Sequence, residues 1–221
     1  MQRFVVLCMF LILSACAPAT PPQQLPENCR AEFSSSQLIA NHWLLQPTVW
    51  RIRQTALLEI GRRKVAMEGF LRLDLQRQEA RLLAMNDMGV VLFDLQVTKD
   101  GQQLHRVLPQ LQQVNGLTQG VAQSLRQIFL VPQPRAHDQL ENRGNSQRLW
   151  RTLPTGSLGF VFDCLGDLRE TRQLAESGDW RVAYDRYRTF GLRRLPEQIV
   201  MNDYRHNVKL SLGLREVKQE P

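Results

Sequence analysis

"TVWRIRQTALLEIGRRKVAMEGFLRLDL", residues 48–75, predicts two long β-strands joined by a tight turn. Apart from Gln54 and Gly69, apolar residues recur at every second position over 50–60 and again over 65–75, and charged residues stand at most of the positions between them. A period of two places these apolar side chains on one face of each strand. The linking residues 61–63 are short enough for a hairpin. The stretch therefore indicates an antiparallel sheet with one apolar face.

Further runs with the same period extend this sheet along the chain. They occupy 80–85, 90–98, 104–108, 159–164, 180–189, 198–201 and 207–214. Together they predict a mainly β fold of the α+β class, with a curled antiparallel sheet of about nine to eleven strands. The alternation alone leaves open whether the sheet forms a barrel, a half-barrel or a sandwich.

Two segments have helical periodicity instead. Apolar residues recur three or four positions apart over 117–129, and Pro132 ends that segment. Serines at 34–36 can cap a helix over 37–45. The polar residues 133–150 are compatible with a loop or with a weak strand pair. We expect the helices to cover the concave face of the sheet, where they complete a core or close a cavity.

The N-terminus has the layout of a signal peptide. Arg3 precedes an apolar run over 4–13, which is too short to span a bilayer as a helix. The next residues, Leu-Ser-Ala-Cys at 13–16, resemble the lipobox of bacterial lipoproteins, in which the cysteine is diacylated and the chain is cut before it. This resemblance makes Cys16 the lipidated first residue of the mature chain. A plain secretory signal with a chance cysteine is the alternative.

Lipidation predicts where the protein resides. Two or three acyl chains hold a protein durably on a membrane. In such lipoproteins an aspartate after the cysteine commonly marks inner-membrane retention, and Ala17 stands there instead. We therefore expect an outer-membrane protein on the periplasmic face. The domain division is a signal peptide at 1–15, a lipidated N-terminus and Pro-rich tether at 16–30, and a single domain at 31–221.

Cysteine usage predicts one disulfide. Once the signal peptide is removed and Cys16 is acylated, Cys29 and Cys164 remain. An oxidising periplasm favours their pairing. Two unpaired buried thiols are the alternative.

Charge and motifs argue against nucleic-acid binding and catalysis. Lys and Arg total 28 against 21 Asp and Glu, but they are scattered and form no basic stripe. The four histidines are isolated, and residues 155–159 fail the G-x-S-x-G frame. Asp163 and Asp167 are interpreted as a strand end and its turn. We expect no catalytic residue, metal or cofactor, and no nucleic-acid partner.

The apolar residues on the alternating faces suit a core and also a pocket for acyl chains. The candidates for a cavity wall are Trp50, Ile52, Met67, Leu71, Leu73, Phe93 and Leu95. The candidates for a helical lid are Leu125, Ile128 and Phe129. For each of them, ordinary core packing is the alternative.

Four features of the chain together resemble the LolA/LolB-like superfamily of bacterial lipoprotein carriers and acceptors. They are the lipobox, the long meander, the helix containing 124–127 and the C-terminal run at 178–218, "GDWRVAYDRYRTFGLRRLPEQIVMNDYRHNVKLSLGLREVK". The chain is still more similar to small uncharacterised outer-membrane lipoproteins whose genes accompany fatty-acid-like or aryl-polyene synthesis. The resemblance implies an incomplete β-barrel closed by helices, with an apolar cavity for a lipid or acyl-bearing ligand. A periplasmic carrier protein is a further implied partner.

The resemblance also implies a protruding loop with an exposed apolar tip that helps to insert cargo into the membrane. The matching turn is 85–89, and Met88 stands where the family has leucine. An ordinary turn residue tucked against the sheet is the alternative for Met88.

The leading hypothesis is a non-enzymatic outer-membrane lipoprotein that binds acyl cargo and assists its transfer or insertion. A scaffolding lipoprotein with a filled core, docking periplasmic partners, is the alternative. An acyl hydrolase would need a Ser or Asp beside a His inside the cavity.

Overall fold

The computed structural model describes residues 25–26, 29–45, 48–130, 132–176, 178–191 and 193–220. The predicted signal peptide and Cys16 lie outside the described residues. Within the described residues, twelve strands form one antiparallel sheet. They are β1 (Val49–Ile60), β2 (Arg63–Asp74), β3 (Glu79–Met85), β4 (Val91–Thr98), β5 (Gln102–Val107), β6 (Gln139–Arg143), β7 (Ser146–Leu153), β8 (Gly156–Asp163), β9 (Leu168–Ala175), β10 (Trp180–Phe190), β11 (Arg193–Asp203) and β12 (Val208–Gln219). The helices are α1 (Ser35–Asn41), α2 (Pro109–Gln112) and α3 (Leu117–Leu125), and α3 continues into a π-helical segment, Arg126–Leu130.

Consecutive strands are neighbours in the sheet, and the first strand pairs with the last. The order is β5-β4-β3-β2-β1-β12-β11-β10-β9-β8-β7-β6. The edge strands β5 and β6 do not pair with each other, so the sheet is not closed. The segment that connects them carries α2, α3 and the π-helical segment. The predicted fold class, an incomplete antiparallel barrel with helices, is confirmed.

Alternating burial distinguishes the two faces of the sheet. On β1, Trp50, Ile52 and Leu58 are buried, whereas Arg51 and Arg53 between them are exposed. We call the buried side, which packs against the helices, the inner face, and the opposite side the outer face. The period of two in the sequence thus corresponds to burial on one face.

Because neighbouring strands are antiparallel, their connections alternate between two ends of the sheet. The connection between β3 and β4 contains Met88 and marks one end, called the Met88 end. The connection between β8 and β9 contains Cys164 and marks the opposite end, called the Cys164 end. The connection between β4 and β5 also lies at the Cys164 end.

Two segments form strands that the sequence left open or did not predict. Residues 133–150, left open between a loop and a strand pair, contain β6 and the start of β7. Strand β9 was not predicted, because only Leu168 and Thr171 of its eight residues are buried and the others are polar or part-exposed. Strands β6, β7 and β9 bring the nine predicted runs to twelve strands in the described structure, above the nine to eleven expected.

The N-terminal helix is shorter than the predicted 37–45. Ser34 caps α1, accepting a hydrogen bond from the Gln37 backbone N–H, while the Gln37 side chain accepts one from the Ser34 backbone N–H. The helix ends at Asn41, because His42 adopts an extended conformation. Trp43 then packs inside the sheet from a turn and not from the helix.

The segment before α1 reaches the Cys164 end of the sheet. Cys29 and Cys164 are joined there, with Cα atoms 5.6 Å apart. The Phe33 backbone N–H donates to Gln147 Oε1 at 2.8 Å, which adds a second attachment. That the two cysteines are oxidised in the protein stays a prediction.

Candidate functional site

Helix α3 runs along the inner face from the Met88 end to the Cys164 end. Near its start, a Cβ placed on Gly120 would lie 3.7 Å from Val208 Cγ2 of β12. At its end, Arg126 donates hydrogen bonds to the backbone oxygens of Thr98 at 2.9 Å and Gly101 at 2.7 Å. The helix begins after Gly116, which has φ +77° and provides no side-chain cap. Its polar attachment is therefore concentrated at the Arg126 end.

The space between α3 and the sheet is small and almost wholly apolar. It has a volume of about 10 Å³ and is enclosed by β1, β2, β3, β12 and α3. Its apolar lining includes Leu58, Met67, Leu82, Val121 and Leu125. In the described structure the inner face is thus filled by α3, with room for no more than about one water molecule.

One polar side chain, Gln54, interrupts this lining. Gln54 lies on the inner face of β1 and is only 1% exposed. Its Oε1 atom has no hydrogen-bond partner among the described residues. Sequence reasoning missed this residue, although a single glutamine at an apolar-face position of the alternation was the available signal.

Backbone features on both sides of Gln54 set its position. On β2 its cross-strand partner is Gly69. A Cβ at position 69 would lie 3.3 Å from Gln54 Cγ and Nε2, so the glycine leaves room for the glutamine. On the β12 side, the pairing shifts register between Arg53 and Gln54. Such bulges redirect side chains locally and are enriched beside functional sites.

All ten predicted wall and lid residues are buried on the inner face or in the helices that cover it. Met67 and Leu125 line the space under α3. Others pack elsewhere in the core, as where the Phe129 ring meets Trp43 edge-on at a centroid distance of 6.0 Å. Burial is required of a core residue and of a cavity wall alike, so the assignment of the ten to a cargo site stays a prediction.

Met88 is 79% exposed at the tip of the β3–β4 connection. Asn86 Oδ1 shapes this turn by accepting the backbone N–H groups of Met88 at 3.1 Å and Val90 at 2.8 Å. Val90 is also exposed, at 42%. The tip is therefore an apolar point directed to solvent and is not tucked against the sheet.

The outer face carries a larger groove of about 550 Å³. Phe70, 39% exposed, and Leu83 form apolar parts of its floor. The arginines around them are paired with carboxylates, as Arg81 is with Asp94 at 2.8 Å and Arg53 with Glu68. Because these charges are matched, the groove has no unpaired cationic cluster to select an anion.

Ionisable groups near Cys164 form a structural network. Asp163 Oδ1 accepts the backbone N–H groups of Leu165 and Asp167 and so closes the turn after β8. Asp167 in turn accepts three hydrogen bonds from Arg194, two from Nε at 3.1 Å and one from Nη2 at 2.9 Å. Burial raises the pKa of Tyr187, which donates to the Leu168 backbone oxygen. This agrees with the expected strand end and turn.

The described residues contain no group of three or more His, Cys, Asp or Glu side chains that could hold a metal ion. Burial lowers the pKa of His42 to about 3, so this histidine is neutral. His206 pairs with Asp203 at 2.9 Å near the β11–β12 connection. No helix within the described part of the chain has the length and apolar character needed to cross a membrane.

Solved structures with the same fold include those of two bacterial proteins. A LolA superfamily protein from Nitrosomonas europaea has a TM-score of 0.54 at 11% identity, over 86% of this chain and 95% of that chain. A domain described as an outer membrane lipoprotein-sorting protein, from Vibrio parahaemolyticus, has a TM-score of 0.51 at 8% identity, over 84% of this chain and 90% of that chain. No protein-family model and no curated protein matches the sequence. The predicted LolA/LolB-like resemblance is confirmed at the level of the fold, while the gene-cluster association stays a prediction.

Proposed function

We propose that this protein binds a lipid or acyl-bearing cargo between the inner face of its sheet and α3, and assists the transfer of that cargo to the outer membrane. The observation that carries the proposal is the apolar space beneath α3, in a fold shared with a domain described as lipoprotein-sorting. Apolar walls bind acyl chains through burial, without directional contacts.

Cargo binding requires α3 to move. Pockets for small ligands measure about 300 to 1,000 Å³. The space beneath α3 is far smaller, at about 10 Å³. The helix has nine residues and is attached through Arg126 at one end, while Gly116 precedes its uncapped other end. Each acyl CH₂ group that replaces a helix contact contributes about 0.8 kcal/mol on burial. An acyl chain can therefore compensate for the loss of α3 packing.

The membrane attachment we propose is lipidation at Cys16. Thirteen peptide steps from Cys16 to Cys29 reach at most about 45 Å. A strand of twelve residues, such as β1, is about 40 Å long. The tether joins the domain at Cys29, at the Cys164 end of the sheet. Because the tether can be as long as a strand, the Met88 tip at the opposite end can touch the bilayer that holds Cys16. Exposure of Met88 and Val90 supports a membrane contact at that tip.

The test uses the full chain carrying Cys16→Ser, which cannot be acylated there. We expect native mass spectrometry to detect co-purified lipid, and a fluorescent hexadecanoic acid to bind saturably. Leu125→Asn, in the lining under α3, should weaken uptake by about tenfold, because it places an amide in the apolar site. Leu104→Asn on the exposed edge strand β5 is the matched control. Absence of both lipid and fatty-acid uptake would contradict the proposal.

The filled inner face supports a second candidate, a scaffolding lipoprotein that docks partners on its outer surface. Hydrogen exchange separates the two functions. If α3 exchanges its amide protons equally with and without hexadecanoic acid, α3 does not open for cargo and the scaffolding function is favoured. Faster exchange of α3 in the presence of the acid supports the carrier.

A further inference from the structure

We infer that Gln54 is the polar recognition point of the acyl site, and that it selects cargo whose acyl chain is amide-linked over cargo whose chain is ester-linked. This inference rests on the proposed function, because it assigns a chemical class to the cargo bound under α3. It depends on a different observation, the single buried amide in an otherwise apolar lining.

Gln54 is buried where ordinary core packing would place an apolar residue. It is 1% exposed, and its inner-face neighbours along β1 are Ile52 and Ala56. Its Oε1 atom has no hydrogen-bond partner in the described part of the chain. A buried acceptor without a partner loses its hydration and receives nothing in return, so a donor on a bound ligand would remove that penalty.

A bound water is a poor explanation for this amide. A buried water normally makes two to four hydrogen bonds. Among the described residues that line the space, Gln54 supplies the only polar side chain. A water there would be held chiefly by one group, in a space of about 10 Å³.

The local backbone is arranged to hold the glutamine. Gly69 opposite Gln54 leaves room for its side chain, since a Cβ there would crowd Gln54 Cγ and Nε2 at 3.3 Å. The β1–β12 register shift adjoins the same residue. The amide is thus positioned at the middle of the sheet, beneath Val121 and Leu125 of α3.

The unpartnered atom determines the ligand class. An oxygen acceptor is satisfied by a donor, and the N–H of an amide-linked acyl chain is a donor close to the start of the hydrocarbon. An ester at the same position has no hydrogen to donate. The remaining apolar lining accepts the hydrocarbon of either ligand equally.

The experiment compares two probes, N-methylhexadecanamide and methyl hexadecanoate. They differ only in the group after the carbonyl, which is N–H in the amide and oxygen in the ester. Each displaces a fluorescent fatty acid from the full Cys16→Ser chain. We expect the wild-type site to bind the amide about tenfold more tightly than the ester, the effect of one hydrogen bond in a buried site. Gln54→Met, which keeps the length and removes the amide, should abolish or reverse this preference while hydrocarbon binding persists.

Gln127→Met is the matched control, because Gln127 is a second buried glutamine with an unpartnered Oε1 but does not line the space. The ratio of the two affinities should remain at the wild-type value in this variant. If Gln54→Met does not fold, Gln54→Leu replaces it, with the ratio as the readout. Equal binding of the two probes by the wild type, or an unchanged preference in the Gln54 variant, overturns the inference and leaves the carrier function intact. Failure of both probes to bind overturns the carrier function as well.

Discussion

Gly69 on β2 lies directly opposite Gln54 on β1, and its lack of a side chain is what accommodates the glutamine amide. A Cβ at position 69 would lie 3.1 Å from Leu82 Cδ1 and 3.3 Å from Gln54 Cγ. We expect Gly69→Ala to lower the free energy of unfolding by about 1 kcal/mol, because the packed core resists added volume. Urea unfolding measures this change. Gly120→Ala is the control, since its nearest contact would be 3.7 Å away, and it should stabilise α3 by about 0.5 to 1 kcal/mol. Equal effects of the two substitutions would contradict this reading of Gly69.

Arg126 fastens α3 to the β4–β5 connection through Thr98 and Gly101. We expect Arg126→Met to free this end of the helix, because the two hydrogen bonds are lost while the aliphatic stem is retained. Amide exchange of α3 should accelerate, and uptake of fluorescent hexadecanoic acid should become faster. Arg106→Met on the exposed strand β5 is the control. Unchanged exchange of α3 in the Arg126 variant would show that packing alone holds the helix.

His42 is predicted to destabilise the protein in acid. Burial lowers its pKa from 6.5 to about 3 in the folded protein, so below pH 6.5 the unfolded chain binds a proton that the folded chain does not. Stability contributed by neutral His42 is therefore complete above pH 6.5 and declines as the pH falls toward 3. At pH 5 the loss should be about 2 kcal/mol. Chemical unfolding of wild type and His42→Asn at pH 7 and pH 5 measures the difference, and parallel pH profiles would refute the assignment.

The Cys29–Cys164 bond, if oxidised, closes a loop with a sequence separation of 135 residues. In the chain-entropy model this restriction of the unfolded chain stabilises the folded state by about 4 to 5 kcal/mol. We expect Cys29→Ala with Cys164→Ala to lower the free energy of unfolding by up to that amount. Mass spectrometry of non-reduced Cys16→Ser protein should find no free thiol at either position. Two alkylatable thiols under non-reducing, unfolding conditions would end the proposal.

Exposed Met88 predicts a membrane contact that is independent of the lipid anchor. In the Cys16→Ser chain, Met88→Asp should reduce binding to vesicles of phosphatidylethanolamine and phosphatidylglycerol by about tenfold or more, because one buried methionine side chain contributes about 1.5 to 3 kcal/mol. Co-sedimentation measures the bound fraction. Leu165→Asp replaces an exposed leucine of the β8–β9 connection, at the opposite end of the sheet, and serves as the control. If both variants bind alike, the Met88 tip is an ordinary turn.

The strands that were predicted are those whose two faces meet different environments. On β1 and β2, apolar and charged residues alternate because one face meets the core and the other meets water. Strand β9 buries little more than Leu168 and Thr171, and β6 buries no side chain, so neither carries a period of two. These two strands are stabilised by backbone hydrogen bonds to their neighbours. Such pairing does not require apolar residues at alternate positions.

The site was predictable only in part for a related reason. Inward-facing residues such as Met67 follow from periodicity, but periodicity cannot tell a packed interior from an open one. Whether α3 fills the curved sheet depends on side-chain volumes brought together from β1, β2, β12 and α3. Gln54 was visible as a polar residue at an apolar position, yet the lack of a hydrogen-bond partner for its Oε1 atom is a property of the assembled interior.

The pairing of β1 with β12 at the middle of the sheet has a kinetic consequence. All other neighbouring pairs in the described sheet consist of strands that are consecutive in the sequence. The β1–β12 pair instead joins distant residues, such as Trp50 and Gln219. Until β12 is available, the strands β1–β5 and β6–β11 can form only two separate meanders, each with an unpaired edge. Contacts so distant in sequence slow folding, and exposed strand edges attract other chains. A chain emerging N-terminus first across a membrane would thus need protection from aggregation until its last dozen residues arrive.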